Sequence, residues 1–148
     1  FGGIVAYEMS LQLASYGHSP KGLVLIDSPC PNRDITLSET LVTYLMSRLP
    51  ANETKIAPSI IQRQFTLSSA LLQAYVPHPI GNVCPPMILL KSATGFTCAA
   101  LTKKDIPSWL TERYSSDIGA LGWELMPHCK VEVHMIPGHH FEAFDSLY

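Results

Sequence analysis

KGLVLID, residues Lys21–Asp27, is a short and almost continuous apolar run with Gly17 and Pro20 before it and Ser28-Pro29-Cys30-Pro31 after it. A strand open to water on one face alternates apolar and polar residues. An unbroken apolar run of this length between turn formers reads instead as a buried parallel strand. The stretch before it has a different period. From Ile4 to Tyr16, residues Ile4, Val5, Met9, Leu11, Leu13 and Ala14 form a broad helical stripe without proline, and Gly17 is placed to cap the helix end. Two later runs, PMILLK (Pro86–Lys91) and KVEVHMI (Lys130–Ile136), repeat the buried-strand reading, the second closed by Pro137-Gly138. Helix–strand units in this order predict an α/β fold with a parallel sheet and right-handed crossovers. So small an open sheet leaves edges unpaired and one face uncovered, so further strands are expected upstream of Phe1.

The connection from Asp27 to Pro86 is far longer than a simple crossover. It holds two amphipathic patterns. Ser38–Leu49 places Leu41, Tyr44, Leu45 and Leu49 on one face and stops at Pro50, and Pro58–Tyr75 keeps Ile61, Phe65, Leu72 and Tyr75 in register. Paired helices inserted over about residues 33–80 are expected to form a lid above a substrate pocket, or else a plain helical crossover layer. Between Ser92 and Cys129 the pattern is weak, with a short helix expected around Asp117–Leu125.

Hydrophobic residues at 47% and charged residues at 15% describe a packed core, not a disordered tail. The net charge of −2 and the lack of a basic stripe argue against nucleic acid and anionic membrane as partners. No apolar run reaches the ~20 residues of a membrane span, and the first residues have no signal-peptide layout. Cys30, Cys84, Cys98 and Cys129 form no Cys-x-x-Cys pair, which favours reduced thiols and a cytoplasmic location. The chain opens at Phe1 straight into a helical pattern and closes on FEAFDSLY, which reads as an interrupted helix. Both ends are expected to continue in a longer polypeptide.

Ligands and catalytic groups of open parallel sheets gather beyond the carboxyl ends of the strands. Asp27 ends the first strand, and His139-His140 follow the last across the Pro137-Gly138 turn. An acid followed by a histidine at strand ends is two-thirds of a Ser…Asp…His arrangement in hydrolase order. The acid orients the imidazole and stabilises its cation, and the imidazole takes a serine proton. Phe1-Gly2-Gly3 running directly into a helix fits the half of a nucleophile elbow that follows the serine. The nucleophile is then expected immediately before Phe1, with the backbone N–H of Phe1 an oxyanion-hole donor at a helix N-terminus. Each residue also has a plainer reading. Asp27 can cap a turn before Ser28-Pro29. The stretch after Lys91, a common alternative site for the acid, holds no carboxylate before Asp105. His18 and His78 sit in turn-like contexts, His134 lies within a strand, and His139 rivals His140. A metal site drawn from His128, Cys129, His134, His139 and His140 fits no common ligand spacing, so no metal is expected.

FGGIVAYEMSLQLASYG (Phe1–Gly17) followed by GLVLIDSPCP (Gly22–Pro31) resembles the thioesterase domains that end polyketide synthases and nonribosomal peptide synthetases. IPGHHFEAFD (Ile136–Asp145) resembles the histidine motif of the same domains, and the DSPCP run (Asp27–Pro31) and the PGHHFEAF ending (Pro137–Phe144) are most similar to fungal non-reducing polyketide synthases. The resemblance implies a partial α/β-hydrolase fold, a parallel sheet fragment with a helical lid insertion. It also implies that Asp27 is the triad acid and that His140, directly before phenylalanine, is the base. No cofactor is expected to bind directly. The polyketide acyl thioester would arrive on the phosphopantetheine arm of an acyl carrier domain in the same polypeptide. Release to water, to an internal hydroxyl or to a carbon nucleophile in Claisen cyclisation would follow. The serine itself is absent from these residues. A peptide synthetase thioesterase, or a degenerate module that binds a carrier domain without catalysis, are the alternatives.

Overall fold

The opening helical stripe forms α1 (Gly2–Ser15), which ends in a Schellman motif: the Gly17 N–H donates to the Ala14 carbonyl (3.0 Å) and the His18 N–H to the Leu13 carbonyl (3.0 Å). In this computed structural model residues 1–31, 35, 37–48, 58–77, 84–113 and 119–143 are described. Three strands follow in chain order, β1 (Leu23–Ile26), β2 (Met87–Ser92) and β3 (Val131–Ile136), paired in parallel in the order β1-β2-β3. Leu25 lies beside Leu89, and Leu89 beside Val133.

One face of the sheet carries the core. Ile4, Tyr7 and Leu11 of α1 pack with Leu25, Met87 and Leu89, while Trp123 fills the end of the layer with its ring set edge-on to Tyr7 at 5.2 Å. Burying aliphatic side chains such as Leu25 and Leu89 stabilises the fold by roughly 2 kcal/mol each. Gly3 sits where α1 crosses the exit from β1; a Cβ there would collide with the Ser28 side chain and meet Leu25 Cδ2 at 3.2 Å. Glycine is what lets the helix lie this close to the strand end.

Two expectations need correction. Of the three runs read as buried strands, β1 and β2 are covered on one face and β3 has no fully buried residue. Val24 is 60% exposed, Ile26 and Ile88 are exposed, and β3 is open along most of its length with Met135 50% exposed. Alternation is absent from β1 because its outward residues are apolar too, so the pattern could not reveal which face is covered. α1 shows the same split: Ile4 and Leu11 are buried, whereas Val5, Met9 and Leu13 of the same stripe face outward. The second correction concerns the thiols. Cys84 and Cys129 form a disulfide, with Cα atoms 5.2 Å apart, while Cys30 and Cys98 are not disulfide-bonded. Each half-cystine lies just ahead of a strand, and parallel pairing of Met87 with Val131 brings the two half-cystines together across 45 residues of sequence.

The long connection contains α2 (Glu39–Arg48) and α3 (Pro58–Ala74). Ser38 caps α2 by accepting from the Leu41 N–H at 3.1 Å. α3 is tied to α2 where Gln62 Nε2 donates to Glu39 Oε1 (3.1 Å), and its far end to α1 where Tyr75 Oη donates to Glu8 Oε2 (2.5 Å). A single-turn helix, α4 (Ser108–Thr111), was not foreseen, and of the helix expected around Asp117–Leu125 the described residues show a 3-10 turn at Trp123–Leu125. The interrupted helix expected at the chain end begins as a 3-10 turn, His140–Glu142. Leu49, Pro50, His78, residues 114–118 and residues 144–148 lie outside the described residues, as do parts of the 33–80 insertion.

Candidate active site

Asp27 follows the last residue of β1 and its N–H still joins the ladder, donating to the Leu90 carbonyl at 2.8 Å. Its backbone then turns into the left-handed region (φ 42°), a conformation that aspartate tolerates better than most residues. The turn carries the carboxylate across to the end of β2, where the Ser92 N–H donates to Oδ1 at 2.8 Å. Arg113 reaches the same carboxylate with both guanidinium amines, Nη1 to Oδ1 and Nη2 to Oδ2, each at 2.9 Å. The fourth contact is His140 Nδ1 to Oδ2 at 2.9 Å. A carboxylate offers about four lone-pair sites, and here four donors fill them.

Burial alone would push the Asp27 carboxyl up. The hydrogen bonds from His140 and Ser92 and the charge of Arg113 outweigh it and hold the group below its ordinary value of 3.8. Asp27 is therefore ionised near neutrality and can only accept, so the proton on His140 sits at Nδ1 and the lone pair at Nε2. An imidazole in this tautomer, backed by a buried carboxylate, can take a proton at Nε2 and be stabilised as a cation.

The turn that delivers His140 depends on Gly138, whose φ of 79° favours glycine and whose missing side chain leaves room for Glu142. His140 is then fixed between rings: Trp109 of α4 and Phe141 each stand edge-on to it at 5.0 Å. The rival histidine goes elsewhere. His139 lies 3.4 Å from Glu142 through Nε2 and packs edge-on to Phe96 at 5.2 Å. Asp105 is also occupied locally, accepting from the Thr102 N–H and hydroxyl at 2.8 and 2.6 Å. Among the described residues no three of the His, Cys, Asp and Glu side chains are grouped to hold a metal ion, and Cys129 is committed to its disulfide.

Phe1 and His140 line one cavity of about 690 Å³. It is also lined by Ile26, by Phe65 and Leu72 of α3, and by Trp109 and Phe141. The walls are mainly apolar, with Ser28, Gln64, Ser68, Ser69 and His140 as the polar exceptions. Phe1, Asp27 and His140 are thus brought to the same rim of the sheet. Arg113 and Trp109 were missed by sequence reasoning, because both fall in a stretch with no periodicity.

A family profile described as the thioesterase domain matches residues 1–147. The chain belongs to the thioesterase domain family. Orsellinic acid synthase of Beauveria bassiana is 32% identical over 99% of the chain, which spans 8% of that protein. The non-reducing polyketide synthase terA of Aspergillus terreus is 30% identical over 95% of the chain, which spans 7% of it. The solved structure of the NocB thioesterase domain, a covalent complex with a fluorophosphonate nocardicin G analog, superposes with a TM-score of 0.60 at 23% identity. That match covers 98% of this chain and 56% of the other. The likeness shows the fold: a partial α/β-hydrolase fold, as its three parallel strands and flanking helices indicate. This thioesterase domain chain therefore spans under a tenth of these two synthases and about half of a solved thioesterase domain.

Proposed function

We propose that this thioesterase domain releases a polyketide from the phosphopantetheine arm of an acyl carrier domain in the same polypeptide, by Ser-His-Asp acyl transfer. The observation that carries the reading is the 2.9 Å contact between His140 Nδ1 and Asp27 Oδ2 at the rim of a cavity that also contains Phe1. The two relatives named polyketide or orsellinic acid synthases support a polyketide acyl group as the cargo.

The nucleophile in this reading is a serine immediately preceding Phe1. It attacks the thioester carbonyl while His140 Nε2 takes its proton, and Asp27 stabilises the imidazolium. The oxyanion accepts a hydrogen bond from the Phe1 N–H at the N-terminus of α1, where the helix dipole favours negative charge. His140 returns the proton to the departing pantetheine sulfur, which leaves an acyl-serine ester. Water, an internal hydroxyl or a carbon nucleophile of the polyketide then attacks that ester with His140 again as base; the acyl–serine bond breaks and His140 returns the proton to the serine oxygen. No cofactor binds the domain directly; the arm belongs to the carrier. The insertion over residues 33–80 acts as a lid, because Phe65 and Leu72 of α3 face the cavity and the Tyr75–Glu8 hydrogen bond ties the end of α3 to α1.

The test is the release of an N-acetylcysteamine polyketide thioester by the whole polypeptide containing this domain. His140→Ala should lower kcat by about a thousandfold or more with a small change in KM. Retention of most of the wild-type rate would reject the assignment.

A further inference from the structure

Arg113 is buried to 3% exposure, and the carboxylate it grips is fully buried. Its fork meets both Asp27 oxygens, so it shares Oδ2 with His140. Behind it, Lys91 of β2, 4% exposed, donates from Nζ to the Arg113 carbonyl at 2.8 Å and to the Gly119 carbonyl at 3.1 Å. The result is a chain of contacts, Lys91 to Arg113 to Asp27 to His140, at the carboxyl end of the sheet. We propose that Arg113 is a positioning residue of the acyl-transfer site, holding the Asp27 carboxylate in the plane that His140 needs. The proposal rests on the triad reading above.

A buried arginine that only neutralised Asp27 would need neither geometry nor a link to the imidazole. Here the fork geometry is bidentate, which fixes the orientation of a carboxylate as a single ammonium cannot. Asp27 is held off a regular backbone by its left-handed turn, so Arg113 and the Ser92 N–H are what set its plane. Among the described residues the charged groups around the pair are few. Asp27 is faced by Arg113 from the segment after α4 and by His140 from the segment after β3. Lys91 of β2 and Glu124 of the 3-10 turn act from further back, and His139 is turned toward Glu142.

The arrangement has a consequence for pH dependence. With its positive charge against Asp27, Arg113 restrains proton uptake by that carboxylate. Arg113→Gln removes the charge, so the pair should take up its proton at higher pH whichever member carries it. The acidic limb of kcat/KM should therefore move up by about one pH unit. Arg113→Lys keeps the charge without the fork. Its limb should stay near the wild-type position while kcat falls about tenfold with KM unchanged.

These profiles should be measured on the whole polypeptide with an N-acetylcysteamine thioester, alongside wild type and His140→Ala. An unmoved limb in Arg113→Gln, with His140→Ala inactive, overturns the role of Arg113 and leaves the triad reading standing. Full activity in His140→Ala overturns the triad reading itself. If Arg113→Gln yields no soluble protein, Arg113→Lys decides: a lower kcat at constant KM supports the proposal, and an unchanged kcat overturns it.

Discussion

At Asp27 the chain leaves its strand in a left-handed turn, and the carboxylate collects donors from β2, from Arg113 and from His140. Asp27→Asn keeps the shape but exchanges an acceptor for a donor, so the imidazole loses the partner that fixes its tautomer. Release should slow by about a thousandfold to ten-thousandfold, as read by single-turnover hydrolysis of a thioester. The same carboxylate links stability to acid. Its folded-state pKa lies below 3.8, the ordinary value, so the unfolded chain binds the proton more readily. Its contribution is complete above about pH 5 and is lost as pH falls through the folded value. In urea titrations the stability gap between wild type and Asp27→Asn should therefore narrow from pH 6 to pH 3; a constant gap would contradict the ionised, hydrogen-bonded carboxylate. Asp27 and His140 were legible in the sequence because strand ends announce themselves through proline and glycine. Arg113 was not, since a lone arginine in an aperiodic stretch gives no sign that a buried acid waits 86 residues away.

Among the elements, α1, α2, α3 and the three strands could be read from periodicity and turn residues, whereas α4 is one turn long and too short to show a period. Burial was the weaker part of that reading. Val24 and Ile26 are apolar yet exposed, and hydrophobicity cannot say which neighbour is meant to cover them. The approach of α1 to β1 rests on Gly3. Gly3→Ala would press a methyl group against Ser28 and Leu25, costing about 1–3 kcal/mol, and a lowered unfolding midpoint should accompany reduced activity because Phe1 moves with the helix. The Cys84–Cys129 bridge joins the starts of β2 and β3, at the opposite end of the strands from Asp27. Cys84→Ser should cost roughly 2–4 kcal/mol in denaturant titration under oxidising conditions and leave kcat nearly unchanged. The sequence offered no spacing signal for this pair; only strand register brings them together.

Taken as a whole molecule, the thioesterase domain chain presents a well-filled layer between α1 and one face of the sheet, while apolar side chains of the other face stay exposed, Val24 and Ile26 at the cavity and Ile88 beside them. That asymmetry matches what three open parallel strands were expected to leave. Exposed contiguous apolar surface of this kind binds hydrophobic dyes. Residues 1–148 expressed alone should bind such a dye and unfold without a sharp thermal transition; a cooperative transition with no dye binding would show that the layer is self-sufficient. The placing of Phe1 and the Asp27-bound His140 at one cavity is the central claim, and covalent capture tests it most directly. The whole polypeptide should be treated with a fluorophosphonate and the adduct located by peptide mass spectrometry. A single adduct on the residue immediately before Phe1, forming at least about a hundredfold more slowly in His140→Ala, is the expected result. An adduct elsewhere, or labelling at the wild-type rate without His140, would contradict the account.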